Sequence, residues 1–103
     1  MVHRISWKRS GRGRIVVGKV EVRCGDSVKW NASRTEKPIA LFFPDIRLFG
    51  KHQDVVLPGR TKTLRVLASA RTDILTVYPY AIYYVEWGRF GEGSSPIIIV
   101  KPS

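Results

Sequence analysis

Several things are scarce in this sequence, and each scarcity excludes something. Cys24 is the single cysteine. No internal disulfide can therefore form, and the chain is not a disulfide-stapled secreted miniprotein. The histidines are His3 and His52 and the one methionine is Met1, so the imidazole and sulfur ligands that hold transition metals are nearly missing. No apolar run approaches the roughly 20 residues that a membrane-spanning helix needs. The longest clear one, "PIIIV" at 96–100, is strand-sized. The start, "MVHRISWKRSGRGRIVV", lacks the apolar stretch of a signal peptide. That points to the cytoplasm if Met1 is the native start, and to the periplasm or outside the cell if a signal was trimmed.

Acidic residues are scarce too. Eight Asp and Glu stand against 18 Lys and Arg, a net charge of +10 in 103 residues. One domain accounts for that length. A surface so basic attracts polyanions such as nucleic acid, acidic proteins or anionic membranes, although charge of this kind also serves solubility alone. The basic residues begin early: Arg4, Lys8, Arg9, Arg12 and Arg14 precede any acid. Residues 1–13, with "SGRG" and no apolar period, read as a basic, flexible arm ahead of a domain spanning 14–103. Ile5 and Trp7 are the two arm residues that could pack against the body.

From Arg14 onward the apolar residues recur with period two. In "RIVVGKVEVR" Val20 and Val22 share one face, and Lys19, Glu21 and Arg23 share the other. "CGD" reads as a turn and "SVKW" as a second strand. "PIALFF" is apolar on both faces, which predicts a strand buried between layers. "DIRLFGKHQD" is irregular, "VVL" resumes a strand, and "TKTLRVLA" points Leu64 and Val66 inward. "ILTVYPYAIYYVEW" is too long for one straight strand, and Pro79 cannot donate to a ladder, so a break or a sheet edge is expected there. Tyr78, Tyr80, Tyr83, Tyr84 and Trp30 are expected in the core. About seven short strands with turn signals between them predict an all-β fold, a Greek-key β-sandwich.

Three segments are similar to a known family. "VEVRCGDSVKWNAS" resembles the opening of cupredoxins, the blue-copper fold. "VVLPGRTKTLRVLA" resembles that family's proline-glycine hairpin, and "YAIYYVEWGRFGEGSSPIIIV" its closing segment of aromatic strand, ligand loop and final strand. The resemblance covers most of residues 14–101 and implies a cupredoxin-like domain. It does not imply copper. A blue-copper site takes two His and one Cys, with a weak axial ligand that is often Met. At the corresponding places this chain has Lys37 and Pro38, Tyr84, Trp87, and Ser94 or Ser95. His52, Asp45 and Asp54 are the remaining candidate ligands, all in or beside one loop. The expectation is no metal and no cofactor.

No catalytic constellation stands out, so no enzyme is expected. Ser94 and Ser95 have no nearby His to serve as base. Glu86 and Glu92 flank a loop that also carries Arg89, and "GRFGEG" precedes a strand where a phosphate-cradling loop would precede a helix. Cys24 has only Arg23 beside it to favour a reactive thiol. The 87–93 loop is more informative as a contact surface for another protein. Trp87, Arg89 and Phe90 fall within it, and such side chains are favoured at binding hot spots, although Trp87 and Phe90 could equally fill space at the end of the sandwich. Two functions follow as expectations. One is a metal-free cupredoxin-like binding module acting through this loop. The alternative is a nucleic-acid-binding protein in which the arm tracks phosphates and Lys19, Arg23, Lys62 and Arg65 add charge on one face.

Overall fold

The computed structural model describes residues 1–5, 7–10, 13–16, 19–32, 37–70, 73–91 and 96–102, with 7–10, 13–16 and 87 described by backbone alone. Among these residues the regular elements are strands and two short 3-10 turns, at Ala68–Ala70 and Val85–Trp87. The strands are β1 (Val2–Arg4), β2 (Trp7–Ser10), β3 (Gly13–Val16), β4 (Lys19–Val22), β5 (Ser27–Asn31), β6 (Ile39–Phe42), β7 (Gln53–Val56), β8 (Thr61–Arg65), β9 (Thr76–Pro79), β10 (Ala81–Tyr84), β11 (Arg89–Phe90) and β12 (Ile97–Val100). Three sheets, β1-β5-β8, β11-β10-β6-β7 and β4-β12-β9, enclose the core in a sandwich-like arrangement, and β2 pairs with β3 in a ribbon.

The period-two pattern explains what lies inside. On β5, Val28 and Trp30 are buried while Ser27 and Lys29 are half-exposed and Asn31 is exposed. The antiparallel register sets Val28 against Leu64 of β8. Ile39 and Leu41 of β6 and Ile82 and Tyr84 of β10 join the same cluster, as do Tyr78, Ile98, Val100 and Val22 from the third sheet. The break expected at Pro79 is present. It ends β9, which pairs with β12, and β10 then pairs with β6 in a different sheet. Between them the Tyr80 N–H donates to the Pro96 carbonyl at 3.1 Å. One aromatic segment thereby serves two sheets.

Three expectations need correction. Val2–Arg4, expected in a flexible arm, form β1, an edge strand parallel to β5, and the boundary drawn at 13/14 falls within β3, which pairs with β2. "PIALFF" is not buried on both faces, because Ala40 and Phe42 are half-exposed on the outer side of β6. Tyr83 alternates outward for the same reason and is not a core residue, unlike Tyr78, Tyr80 and Tyr84.

What holds β1 in place is the turn between β4 and β5. Gly25 adopts φ 90°, which aims the chain back. Just after it, the Asp26 carboxylate accepts hydrogen bonds from the Arg23 N–H at 3.0 Å and His3 Nε2 at 2.9 Å. The Met1 ammonium lies 3.6 Å from its other oxygen. The hydrogen bond to His3, foremost, holds the Asp26 carboxyl below its ordinary value of 3.8. A group lowered in this way adds stability above its ordinary pKa and loses it as pH falls through the folded value. Asp26→Ala should therefore cost about 1–2 kcal/mol at pH 7, the scale of a hydrogen bond to a charged group. The urea midpoints of variant and wild type should converge as the pH drops well below 3.8. A gap that is constant with pH would show that the carboxylate does not anchor β1.

Candidate functional site

The end of the chain that suggested a contact surface is built from a tight reversal. β10 runs into the turn Val85–Trp87, and Gly88 at φ 62° sends the chain back as β11. Its N–H donates to the Val85 carbonyl at 3.2 Å, and the Gly91 N–H donates to the Ile82 carbonyl at 3.0 Å. Tyr83 pairs with Phe90, and Tyr84 with Arg89.

This register separates the expected cluster. Phe90 projects from the outer face of the sheet and is 54 % exposed. Arg89 falls in the inward row with Tyr84 and Ile39 and is half-buried. Trp87 contributes its backbone to the turn. Glu92, Ser94 and Ser95 lie outside the described residues.

What joins Phe90 comes from strands that the sequence reading placed elsewhere. One cross-strand row of the outer face reads Val55, Ala40, Tyr83, Phe90, and the next reads Gln53, Phe42, Ala81. The Phe90 ring sits 5.1 Å from Tyr83 and 6.0 Å from Phe42, both inclined. Val55 is 45 % exposed. None of these seven residues is charged. The result is a neutral aromatic face on a strongly basic chain. A strand apolar on both sides, as "PIALFF" is, was the one signal for it.

The positions where the resemblance puts copper ligands hold no thiolate or imidazole. Lys37 is exposed, and Tyr84 is buried among core residues. Of the loop candidates, His52 Nδ1 is bonded to the Phe43 carbonyl at 3.0 Å and Asp45 is clamped by Arg47. The bonds from Arg47 hold the Asp45 carboxyl at about 2. Asp54 takes Lys51 at 3.0 Å and Lys62 at 3.5 Å. Among the described residues, no three of His, Cys, Asp and Glu gather in a group that could hold an ion.

The expected basic face does not assemble as proposed. Lys62 points to the inner side of β8 and closes the sandwich edge onto Asp54, while Arg65 points outward. Lys19 lies on a different sheet beside Glu21, and Arg23 donates to the Pro102 carbonyl at 3.0 Å. Of the early basic residues, Arg4 is on β1, Lys8 and Arg9 are on β2, Arg14 is on β3, and Arg12 lies outside the described residues. A different set of cations does share a face. Arg4 is opposite Lys29, and Arg65 sits one row away on the same outer side. Lys29 was missed because one Lys in "SVKW" reads as any outward strand residue.

Set against family models, curated proteins and solved structures, the chain matches none of them.

Proposed function

We propose that this protein is a metal-free cupredoxin-like interaction module whose working surface is the outer face of β11-β10-β6-β7. Its partner is an acidic protein that presents an apolar patch. The observation that carries this reading is the exposed Phe90 ring packed on the half-exposed Tyr83 and Phe42, continued by the exposed Val55 along one sheet face. Exposed aromatic surface of this kind marks sites of association. The charge selects the partner. Two copies at +10 repel each other, whereas an acidic protein is drawn in before its apolar patch docks. The cupredoxin-like part is supported by the connection between β5 and β8. These strands pair, while the intervening β6 and β7 belong to another sheet, so the chain crosses from one sheet to another and returns.

A photoreactive benzoylphenylalanine replacing Phe90 should crosslink one acidic protein in lysate of the source cell. Titration calorimetry with that protein, once purified, should then show Phe90→Ser binding at least tenfold more weakly than wild type, the usual scale of a hot-spot aromatic. Melting should shift by no more than about 4 °C, since the side chain is exposed. Unchanged affinity in both Phe90→Ser and Tyr83→Ser would overturn the reading. A stable dimer in sedimentation velocity would replace the acidic partner with a second copy.

A further inference from the structure

We propose that the outer face of β1-β5-β8 is a second, independent binding site, one for the phosphodiester backbone of single-stranded nucleic acid. The backbone lies in a groove of about 200 Å³ lined by Arg4, Ile5, Lys29, Asn31 and Thr61.

The register builds this face from three strands. Arg4, Lys29 and Thr63 form one cross-strand row, Asn31 and Thr61 the next, and Val2, Ser27 and Arg65 the row on the other side. Cations directly opposite each other on a sheet repel, and a carboxylate nearby is the usual relief. Elsewhere the chain supplies one: Lys19 and Lys101 have Glu21, Lys51 and Lys62 have Asp54, and Arg47 has Asp45. Among the described residues no acid pairs with Arg4, Lys29 or Arg65, and the eight residues of the three rows include no carboxylate. The fold thus concentrates positive charge here and leaves its compensation to a ligand.

The neutral side chains on the face suit the same ligand. The hydroxyls of Thr61 and Thr63 can donate to phosphate oxygens. The rows are about 6.7 Å apart, two strand residues, which matches the repeat of phosphates along an extended single strand. The groove has room for a phosphate and its sugar. No aromatic residue lies in these rows to stack a base, so recognition runs through the backbone and is indifferent to sequence.

Fluorescence anisotropy of a labelled 20-nucleotide oligothymidylate with the full chain tests this. Three phosphate contacts predict a slope of about −2 in log K against log salt. At 150 mM NaCl the triple variant Arg4→Ala, Lys29→Ala, Arg65→Ala should bind more than tenfold more weakly, and its slope should be shallower by about 2. The triple variant Lys19→Ala, Lys62→Ala, Lys101→Ala carries the same net charge and should lose less than threefold. If the first variant melts early, Lys29→Gln alone should still flatten the slope by about 0.7. Equal losses in the two triple variants would overturn the proposal. So would tighter binding of a 20-base-pair duplex or of a sulfated oligosaccharide of equal charge, or no wild-type binding at 150 mM NaCl.

Discussion

Trp30→Ala is expected to cost about 3–5 kcal/mol, the range for deleting a large buried aromatic side chain. A domain of this size holds only about 5–15 kcal/mol in total, so a large part of the stability goes with one side chain. Trp30 has no exposed surface and is the largest side chain in the core. Its ring meets Phe49 and Tyr80 edge-on at 5.7 Å, and Phe43 at 5.9 Å. Phe43 in turn packs 4.9 Å from Phe49. These residues come from β5, from the segments on either side of the 44–48 turn, and from the junction between β9 and β10. Removing the indole therefore opens a cavity at the point where the sheets meet, and no single strand can move to fill it. Trp30→Phe keeps most of the volume and should cost less than half as much. Urea unfolding followed by far-UV circular dichroism gives both numbers. A loss below 1 kcal/mol for the alanine variant would mean that Trp30 does not sit at the centre of the packing.

The second large effect lies at high pH. Burial pushes the Tyr80 phenol up to about 12, and the hydrogen bond donated by the Trp30 indole N–H at 3.4 Å only partly offsets this. A phenol in the unfolded chain titrates near 10. Below that pH the group is neutral in both states and its full contribution to stability is present. Between about 10 and 12 the unfolded chain gives up the proton while the folded chain keeps it, and stability falls with rising pH. Two pKa units correspond to a loss of roughly 2–3 kcal/mol by pH 12. Burial also raises Tyr78, which steepens the same limb. Tyr80→Phe should cost about 1 kcal/mol at pH 7, the scale of one hydrogen bond, yet fall less steeply than wild type between pH 10 and 12. Parallel alkaline limbs would show that the Tyr80 phenol is not protected from ionisation.

The interior was legible in the sequence because alternation alone specifies it. Val20 and Val22, Val28 and Trp30, and Leu64 and Val66 all point as their period-two pattern says, and Pro79 breaks the strand because it has no N–H to give. The surfaces were less legible, and for definite reasons. Alternation says which residues share a side of a strand, but not whether another layer covers that side. "PIALFF" therefore reads the same whether Phe42 is buried or faces solvent. β11 has two residues, too few to show that Arg89 and Phe90 part to opposite faces. The charged face depends on Arg4 meeting Lys29, a neighbour distant in sequence. That meeting is fixed by the backbone pairing of β1 and by Asp26, neither of which leaves a local pattern. The resemblance to cupredoxins suggested where ligands would stand, but it carried no information about which strands would present the aromatic face.

The position of β12 has a consequence for how the molecule is made. Residues 97–100 form the middle strand of their sheet, parallel to residues 19–22 on one side and antiparallel to residues 76–79 on the other. A ribosome delivers the two flanking strands first and the strand that joins them last. Until residue 100 has emerged, Val20, Val22 and Tyr78 have nothing between them to close the layer. Sheets assembled from such distant pieces fold in milliseconds to seconds, not microseconds. Throughout that interval the nascent chain exposes open strand edges and uncovered apolar side chains, so it is during synthesis, more than after it, that this protein is most open to aggregation or to chaperones.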